Sequence, residues 1–365
     1  MNIDIIAGAR PNFMKIAPII EAFKKLDPDH NKITWRLIHT GQHYDKSMSG
    51  NFFKQLGIPD PDINLECGSG SQAEQTGNIM IAFEKDLIAN PADLVLVVGD
   101  VTSTMACSIV AKKMGVKVAH VEAGIRSFDL SMPEEINRMV TDAITDYFFT
   151  TSVTANQNLI KAGIDGNKIY FVGNTMIDTL YKHFNDFREP REWKLFGLIK
   201  KKYFVVTLHR PANVDDESKI EHLLGEIVNS VNGLPVIFPV HPRTKRVLER
   251  INFIASNLHL IDPLDYLEFN YLVLNAMAVI TDSGGITEET TFMKVPCITL
   301  RETTERPETI FTGSNELIGT DGKLIRPMLD KIIASKWKKG GIPELWDGKT
   351  SERIVEILLK ISSRF

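Results

Sequence analysis

The chain has 365 residues, long for one domain and ample for two. A hydrophobic share of 43%, a charged share of 24% and a formal net charge of −4 describe a globular chain with no basic surface for nucleic acid or an anionic membrane. Three scattered cysteines, Cys67, Cys107 and Cys297, argue against a disulfide framework and a C-x-x-C metal site, and suit a reducing cytoplasm.

The chain opens on MNIDIIAGARP, a strand pattern and not a basic segment followed by an apolar one, so no signal peptide is expected. No apolar run approaches the roughly 18 residues that a membrane-spanning helix requires. The runs IDIIAGAR, RLIHTGQH, LVLVVGD, VAHVEAG and YFFTTS read as strands, each followed by a longer amphipathic segment. This series ends near IYFVGNTMID. The charged stretch HFNDFREPREWKLFG then breaks the rhythm, and a second series starts at Tyr203 with YFVVTLHR, PVIFPVHPRT, LHLIDP, AVITDSGG and CITLRE. Such alternation predicts βαβ units and parallel sheets, with strands that are apolar on both faces at their centres. We therefore expect an α/β chain of two doubly wound Rossmann-like domains facing a central cleft, divided near residues 175 and 176. On its residues alone, the final helix TSERIVEILLKI fits either domain.

In open α/β sheets ligands lie beyond the carboxyl ends of the strands. Arg10, Gln42 with His43, Asp100 and Glu122 hold such positions in the first half, and His209, His241 and Ser283 in the second. An acid just past a strand can simply cap the next helix. Asp100 and Glu122 together, one strand-helix unit apart on one sheet edge, point to function. The stretch HVEAGIRSFDLSMPEEINR adds Glu134 and Arg138. Here Ser131 and Glu134 have capping-box spacing, and Glu134, Arg138 and Asp142 could form a surface ion-pair ladder. The alternative is a loop that returns the helix start, and Glu134 with it, to the edge that carries Glu122.

TDSGGITEE reads as a strand, two glycines and a helix start. Ser283, Gly284 and Gly285 would offer free N–H groups and close approach to a diphosphate, with Glu289 one turn on for ribose hydroxyls. His209-Arg210 and His241 with Arg243 suit a phosphate ester. Phe269 has the spacing of a core residue. Neither a P-loop nor a G-x-G-x-x-G fingerprint is present.

Taken together, GARPNFMKIAP, TGQHYD, VVGDVTST, HVEAGIRS, MPEEINR, GNTMID, LHRPAN, PVHPRT, DSGGITEE and TERPE resemble the non-hydrolysing UDP-N-acetylglucosamine 2-epimerases, in order along nearly the whole chain. The resemblance implies a glycosyltransferase-B-like fold in which residues 347–365 return to the first domain (1–175), leaving 176–346 as the UDP-binding domain. It implies interconversion of UDP-GlcNAc and UDP-ManNAc through 2-acetamidoglucal, with no NAD and no metal. Asp100, Glu122 and Glu134 match the catalytic carboxylates, and His209 a fourth catalytic residue that holds the diphosphate and assists its departure. Arg10, Ser283, Gly284 and Gly285 match UDP-binding positions, Glu289 the ribose ligand and Phe269 the residue beside the uracil. Lys15, Arg138 and Arg306 match further active-site positions. The implied partners are a UDP-sugar, UDP and a second copy in a homodimer.

Two departures stand out. Asn12 replaces the acid of the family's TRPE, and Ala212 replaces the glutamate of HRxEN. In the family that glutamate joins the residues matching Gln42 and Arg210 in holding a second, activating UDP-GlcNAc. Asp215 and Asp216 lie near enough in sequence to substitute for it. Relatives acting on UDP-diacetamido-uronates share most of these motifs. A UDP-sugar glycosyltransferase of the same fold, or a non-catalytic UDP-sugar sensor, would need no trio of carboxylates.

Overall fold

The structure is a computed structural model, and it describes residues 1–41 and 57–363, apart from the side chain of Arg10. The chain divides into two compact units, Met1–Tyr181 with Glu344–Phe365, and Lys182–Pro343. Each is doubly wound and Rossmann-like, as the strand rhythm predicts.

The first unit holds a seven-stranded sheet of β1 (Asn2–Ala7), β2 (Thr34–His39), β3 (Ile63–Asn64), β4 (Leu94–Val98), β5 (Lys117–Val121), β6 (Tyr147–Thr150) and β7 (Ile169–Phe171), in the order β3-β2-β1-β4-β5-β6-β7. Every pairing is parallel. The chain winds outward from β1 to β3 and returns beside β1 with β4, so the strand order reverses between β1 and β4. β4 is buried along its whole length, which explains its unbroken run LVLVV. Ile79, Phe83, Val95, Val97, Ala106 and Val110 form part of the core on one face. The last helix, Thr350–Ser362, packs on the first, Arg10–Leu26. Its start is fixed by Asp178, whose carboxylate accepts from the backbone N–H groups of Thr350 and Ser351.

The second unit holds β8 (Phe204–Thr207), β9 (Val236–Pro239), β10 (Leu258–Ile261), β11 (Ala278–Thr281), β12 (Cys297–Thr299) and β13 (Asn315–Leu317), in the order β10-β9-β8-β11-β12-β13. This sheet is also parallel, and its order reverses between β8 and β11. Two apolar clusters cover its faces. One is built on Phe204, Val206, Leu224 and Phe238, the other on Tyr203, Val205, Leu272 and Val279.

β3 and β13 have two and three residues, too few for their pattern to stand out in the sequence.

Candidate active site

In the first unit, the crevice at the reversal between β1 and β4 collects Lys15, Asp100, Glu122 and Arg138 of the predicted residues. Helix Arg10–Leu26 starts directly past β1. Asn12 shapes that start: its Oδ1 accepts from the N–H groups of Gly8 and Ala9, and its Nδ2 donates to Val98 O at the end of β4. An acid there could accept the first two bonds but not donate the third. One turn later, Lys15 donates from Nζ to Glu122 Oε2 at 2.7 Å, a pair buried on both sides. Glu122 follows β5 with φ 71°, a left-handed conformation that costs a non-glycine residue of order 1–3 kcal/mol and persists only where neighbours impose it. Gly99 follows β4 with φ 70°, and a Cβ on it would stand 3.1 Å from Lys15 Nζ. Glycine at 99 therefore leaves room for the Lys15 ammonium that pairs with Glu122.

Asp100 is half-buried, and its Oδ2 accepts from Arg138 Nη2 at 2.6 Å and Nε at 3.1 Å. Arg138 lies on helix Pro133–Ile144 and also donates to Glu135 Oε2 at 2.6 Å. Glu135 in turn ties down the preceding loop, accepting from Ser127 N, Ser127 Oγ and Phe128 N. Glu134 stands exposed in the first turn of the same helix. The helix is capped at Met132 and has no capping box, since Ser131 Oγ donates to Asp129. Nor is there a surface ladder, because Arg138 and Asp142 are 3% and 2% exposed. The crevice thus gathers Lys15, Asp100, Glu122 and Arg138, with Glu134 one helical turn before Arg138. Gln42 and His43 lie outside the described residues.

In the second unit, the reversal between β8 and β11 places His209 next to the Ser283 turn. Asp282 is fully buried and joins the two loops. It accepts from the backbone N–H groups of His209 and Arg210, from Asn213 Nδ2, and from His209 Nδ1 at 2.8 Å. Burial alone would raise its carboxyl, but the His209 hydrogen bond and charge, with the Arg210 and Asn213 bonds, hold it below the usual carboxylate range. Ser283 caps helix Gly284–Phe292 without a side-chain bond to the helix. A Cβ on Gly284 would stand 2.9 Å from Glu305 Oε1 and 3.8 Å from Arg301 Nη1, so a side chain there would have to push the Glu305 carboxylate aside from its pairing with Arg301. Gly285 faces open space.

Glu289 is buried one turn further on. Burial first, and Glu288 beside it, push its carboxyl up to about 7 against the opposing effect of Tyr266 and Asn270. Arg306 Nε meets Glu288 Oε1 at 2.5 Å. Phe269 is half-buried and packs with the cluster of Tyr203 and Leu272. His241 follows β9 and caps helix Pro242–Arg250, its Nδ1 accepting from Arg243 N at 3.3 Å. The Arg243 guanidinium pairs with Asp215 at 2.7 Å, and Asp216 caps helix Glu217–Ser230.

Sequence reasoning did not single out His120, Glu135 or Asp282, and it treated Asp142 only as a surface charge. Asp282 had a legible signal, an acid between an apolar strand and the S-G-G turn. Among the described residues, no three His, Cys, Asp or Glu side chains are placed to hold a metal ion. Nor, among them, is any helix long and apolar enough to cross a membrane.

A family model described as UDP-N-acetylglucosamine 2-epimerase matches residues 24–359. The chain is 41% identical over 370 residues to the UDP-N-acetylglucosamine 2-epimerase of Methanocaldococcus jannaschii, covering 98% of this chain and 99% of the relative. It is 37% identical over 370 residues to the UDP-2,3-diacetamido-2,3-dideoxy-D-glucuronate 2-epimerase of Pseudomonas aeruginosa, covering 99% and 100%. A crystal structure of the M. jannaschii UDP-GlcNAc 2-epimerase in complex with UDP-GlcNAc and UDP superposes with a TM-score of 0.86 at 40% identity, covering 99% of this chain and 100% of that one. The chain belongs to the UDP-N-acetylglucosamine 2-epimerase family.

Proposed function

We propose that the protein interconverts UDP-GlcNAc and UDP-ManNAc by removing and restoring the proton at C2, with UDP as leaving group. The observation that carries this reading is the pairing of two carboxylates with two cations at the first unit's switch point, Glu122 with Lys15 and Asp100 with Arg138. Removing a weakly acidic C–H while a diphosphate departs requires a base on one face, an acid on the other and cations for the developing charge. A base takes the C2 proton, the C–H electron pair forms the C1=C2 bond, and the C1–O bond breaks with its pair leaving on UDP. The neutral product is 2-acetamidoglucal. A proton delivered to the opposite face of C2, with return of the UDP oxygen to C1, completes the epimerisation.

In this reading Asp100, Glu122 and Glu134 are the proton-transfer residues. His209, oriented through Asp282, holds the diphosphate with the helix N–H groups at Ser283, Gly284 and Gly285. Glu289 accepts from the ribose hydroxyls and Phe269 lies beside the uracil. Arg10, Lys15, Arg138, His241 and Arg306 complete the substrate-binding set. A homodimer and a cytoplasmic location belong to the same proposal, the latter supported by three free cysteines.

The test is incubation with UDP-GlcNAc alone. An epimerase yields UDP-ManNAc, a glycosyltransferase requires an acceptor, and a sensor leaves the sugar unchanged. The relative acting on a diacetamido-uronate motivates a parallel incubation with that UDP-sugar. Turnover there, with UDP-GlcNAc untouched, would replace the substrate in this proposal.

A further inference from the structure

His120 and Asp142 are buried at 0% and 2% exposure, although neither is among the residues assigned to the reaction above. His120 Nδ1 lies 2.7 Å from Asp142 Oδ1, and its Nε2 lies 2.8 Å from Gly99 O. The ring therefore spans a carboxylate oxygen and a carbonyl oxygen, with one nitrogen at hydrogen-bond distance from each. Asp142 uses its second oxygen as well: Oδ2 accepts from Gly124 N at 3.0 Å and from Arg126 Nη1 at 2.6 Å. Burial would raise the Asp142 carboxyl, but His120 and Arg126 outweigh it and hold it below the usual range.

The positions of these contacts matter more than their number. His120, Gly124 and Arg126 lie two before, two after and four after Glu122, whose backbone is in the strained left-handed region. All three converge on Asp142. Gly99 immediately precedes Asp100, and its N–H donates to Val121 O beside Glu122. Asp142 itself lies on the helix that carries Glu134 and Arg138. One buried chain, Gly99 O to His120 to Asp142 to Gly124 and Arg126, therefore ties together the three pieces of backbone that carry Asp100, Glu122 and Glu134.

We propose that His120 and Asp142 are positioning residues for proton transfer, holding the Asp100 and Glu122 turns against the Glu134 helix. The proposal rests on the epimerase reading for its kinetic consequence, but not for the geometry it describes. Displacing a reacting group by about 1 Å can cost roughly 10²-fold. Apart from Arg10, the residues assigned to UDP (His209, Ser283, Gly284, Gly285, Glu289 and Phe269) belong to the other unit. Loss of the chain should therefore act on kcat and spare KM.

The experiment uses His120→Leu, Asp142→Ala and Asp142→Asn in the full chain. An asparagine at 142 can donate to a neutral His120 and still accept from Gly124 and Arg126, so it rebuilds every bond. We expect the first two to lose about 10² in kcat with KM for UDP-GlcNAc within about threefold, and Asp142→Asn to recover to within about fivefold of the parent. Amide hydrogen exchange at Gly99 and Gly124 should quicken in the first two and stay parent-like in Asp142→Asn. Disruptive variants that fold and keep parental kcat and exchange would overturn the proposal, as would an Asp142→Asn no better than Asp142→Ala. Where the disruptive variants do not fold, Asp142→Asn decides: parental exchange and kcat support the proposal, and a hundredfold fall in kcat overturns it. A parent that does not turn over UDP-GlcNAc removes the functional reading, while the exchange comparison still decides whether the two residues hold the turns.

Discussion

His209 Nδ1 lies 2.8 Å from Asp282 Oδ1, and the two residues follow neighbouring strands of the second unit, β8 and β11. The carboxylate accepts the Nδ1 hydrogen, so the other ring nitrogen is the one offered to a ligand. Asp282→Asn can present an amide hydrogen to Nδ1 and reverse the tautomer. We expect a fall of roughly 10² in kcat/KM. The same residue shapes acid stability. Its folded pKa lies below the unfolded value, so its contribution is present above about pH 4 and is lost as pH falls through the lower folded value. Thermal unfolding measured from neutral pH down to about pH 2.5 should show a steeper acid decline for the parent than for Asp282→Asn.

The carboxylates are tested by isosteric change. Asp100→Asn, Glu122→Gln and Glu134→Gln should each fold and lose roughly 10² to 10⁴ in rate. Glu134 is the most exposed test, because its side chain is on the surface and the helix does not use it as a cap. Activity of Glu134→Gln within about threefold of the parent would remove it from the proton-transfer set.

Glu289 makes a prediction of opposite sign to Asp282. Its pKa rises from the ordinary 4.5 to about 7 on folding, so the native state binds the proton more tightly than the unfolded chain. Stability is then highest below the unfolded value and declines as pH rises toward 7, by at most about 1.4 kcal/mol per pH unit. Glu289→Gln, which cannot ionise, should lack that decline. Denaturant titrations at about pH 5 and pH 8 check it, and parallel parent and variant curves would contradict the assigned burial cost.

How far the sequence could be read follows from the range of the contacts involved. Asp100 and Glu122 were legible because a single feature, an acid at the end of an apolar strand, places them at a switch point. The Ser283 turn was legible for the same local reason. His120, Asp142 and Asp282 act across 16 to 73 residues of sequence, from Arg126 with Asp142 to His209 with Asp282, and no local pattern announces which strand end will lie beside which helix. Glu135 next to Glu134 shows the limit well: the pattern P-E-E does not say which acid turns inward to bind Arg138 and which faces solvent. The sequence reads His241 only as a phosphate ligand, whereas in the structure it caps helix Pro242–Arg250, a role that the residue type does not signal and only the proline at the first helical position hints at. The left-handed Glu122 has no signature in residue type at all.

Ala212 yields a kinetic prediction. Asp215 is taken up by Arg243 and Asp216 caps its own helix, so neither stands ready to replace the glutamate that the family uses to hold an activating UDP-GlcNAc. A lost hydrogen bond to a charged group removes about 1.5 to 3 kcal/mol, or one to two orders of magnitude in affinity. Progress curves from purified UDP-ManNAc should therefore start without a long lag. A lag abolished by traces of UDP-GlcNAc would show that the activating site survives without a glutamate at 212.

The most direct measurement of the central claim is proton NMR of the protein with UDP-GlcNAc alone in deuterated water, with no acceptor and no added NAD or metal. Elimination and re-addition predict that UDP-ManNAc forms with deuterium at C2, and that the recovered UDP-GlcNAc gains deuterium as well. UDP-GlcNAc that remains unchanged, or UDP-ManNAc that keeps the substrate's own C2 hydrogen in full, would contradict the account.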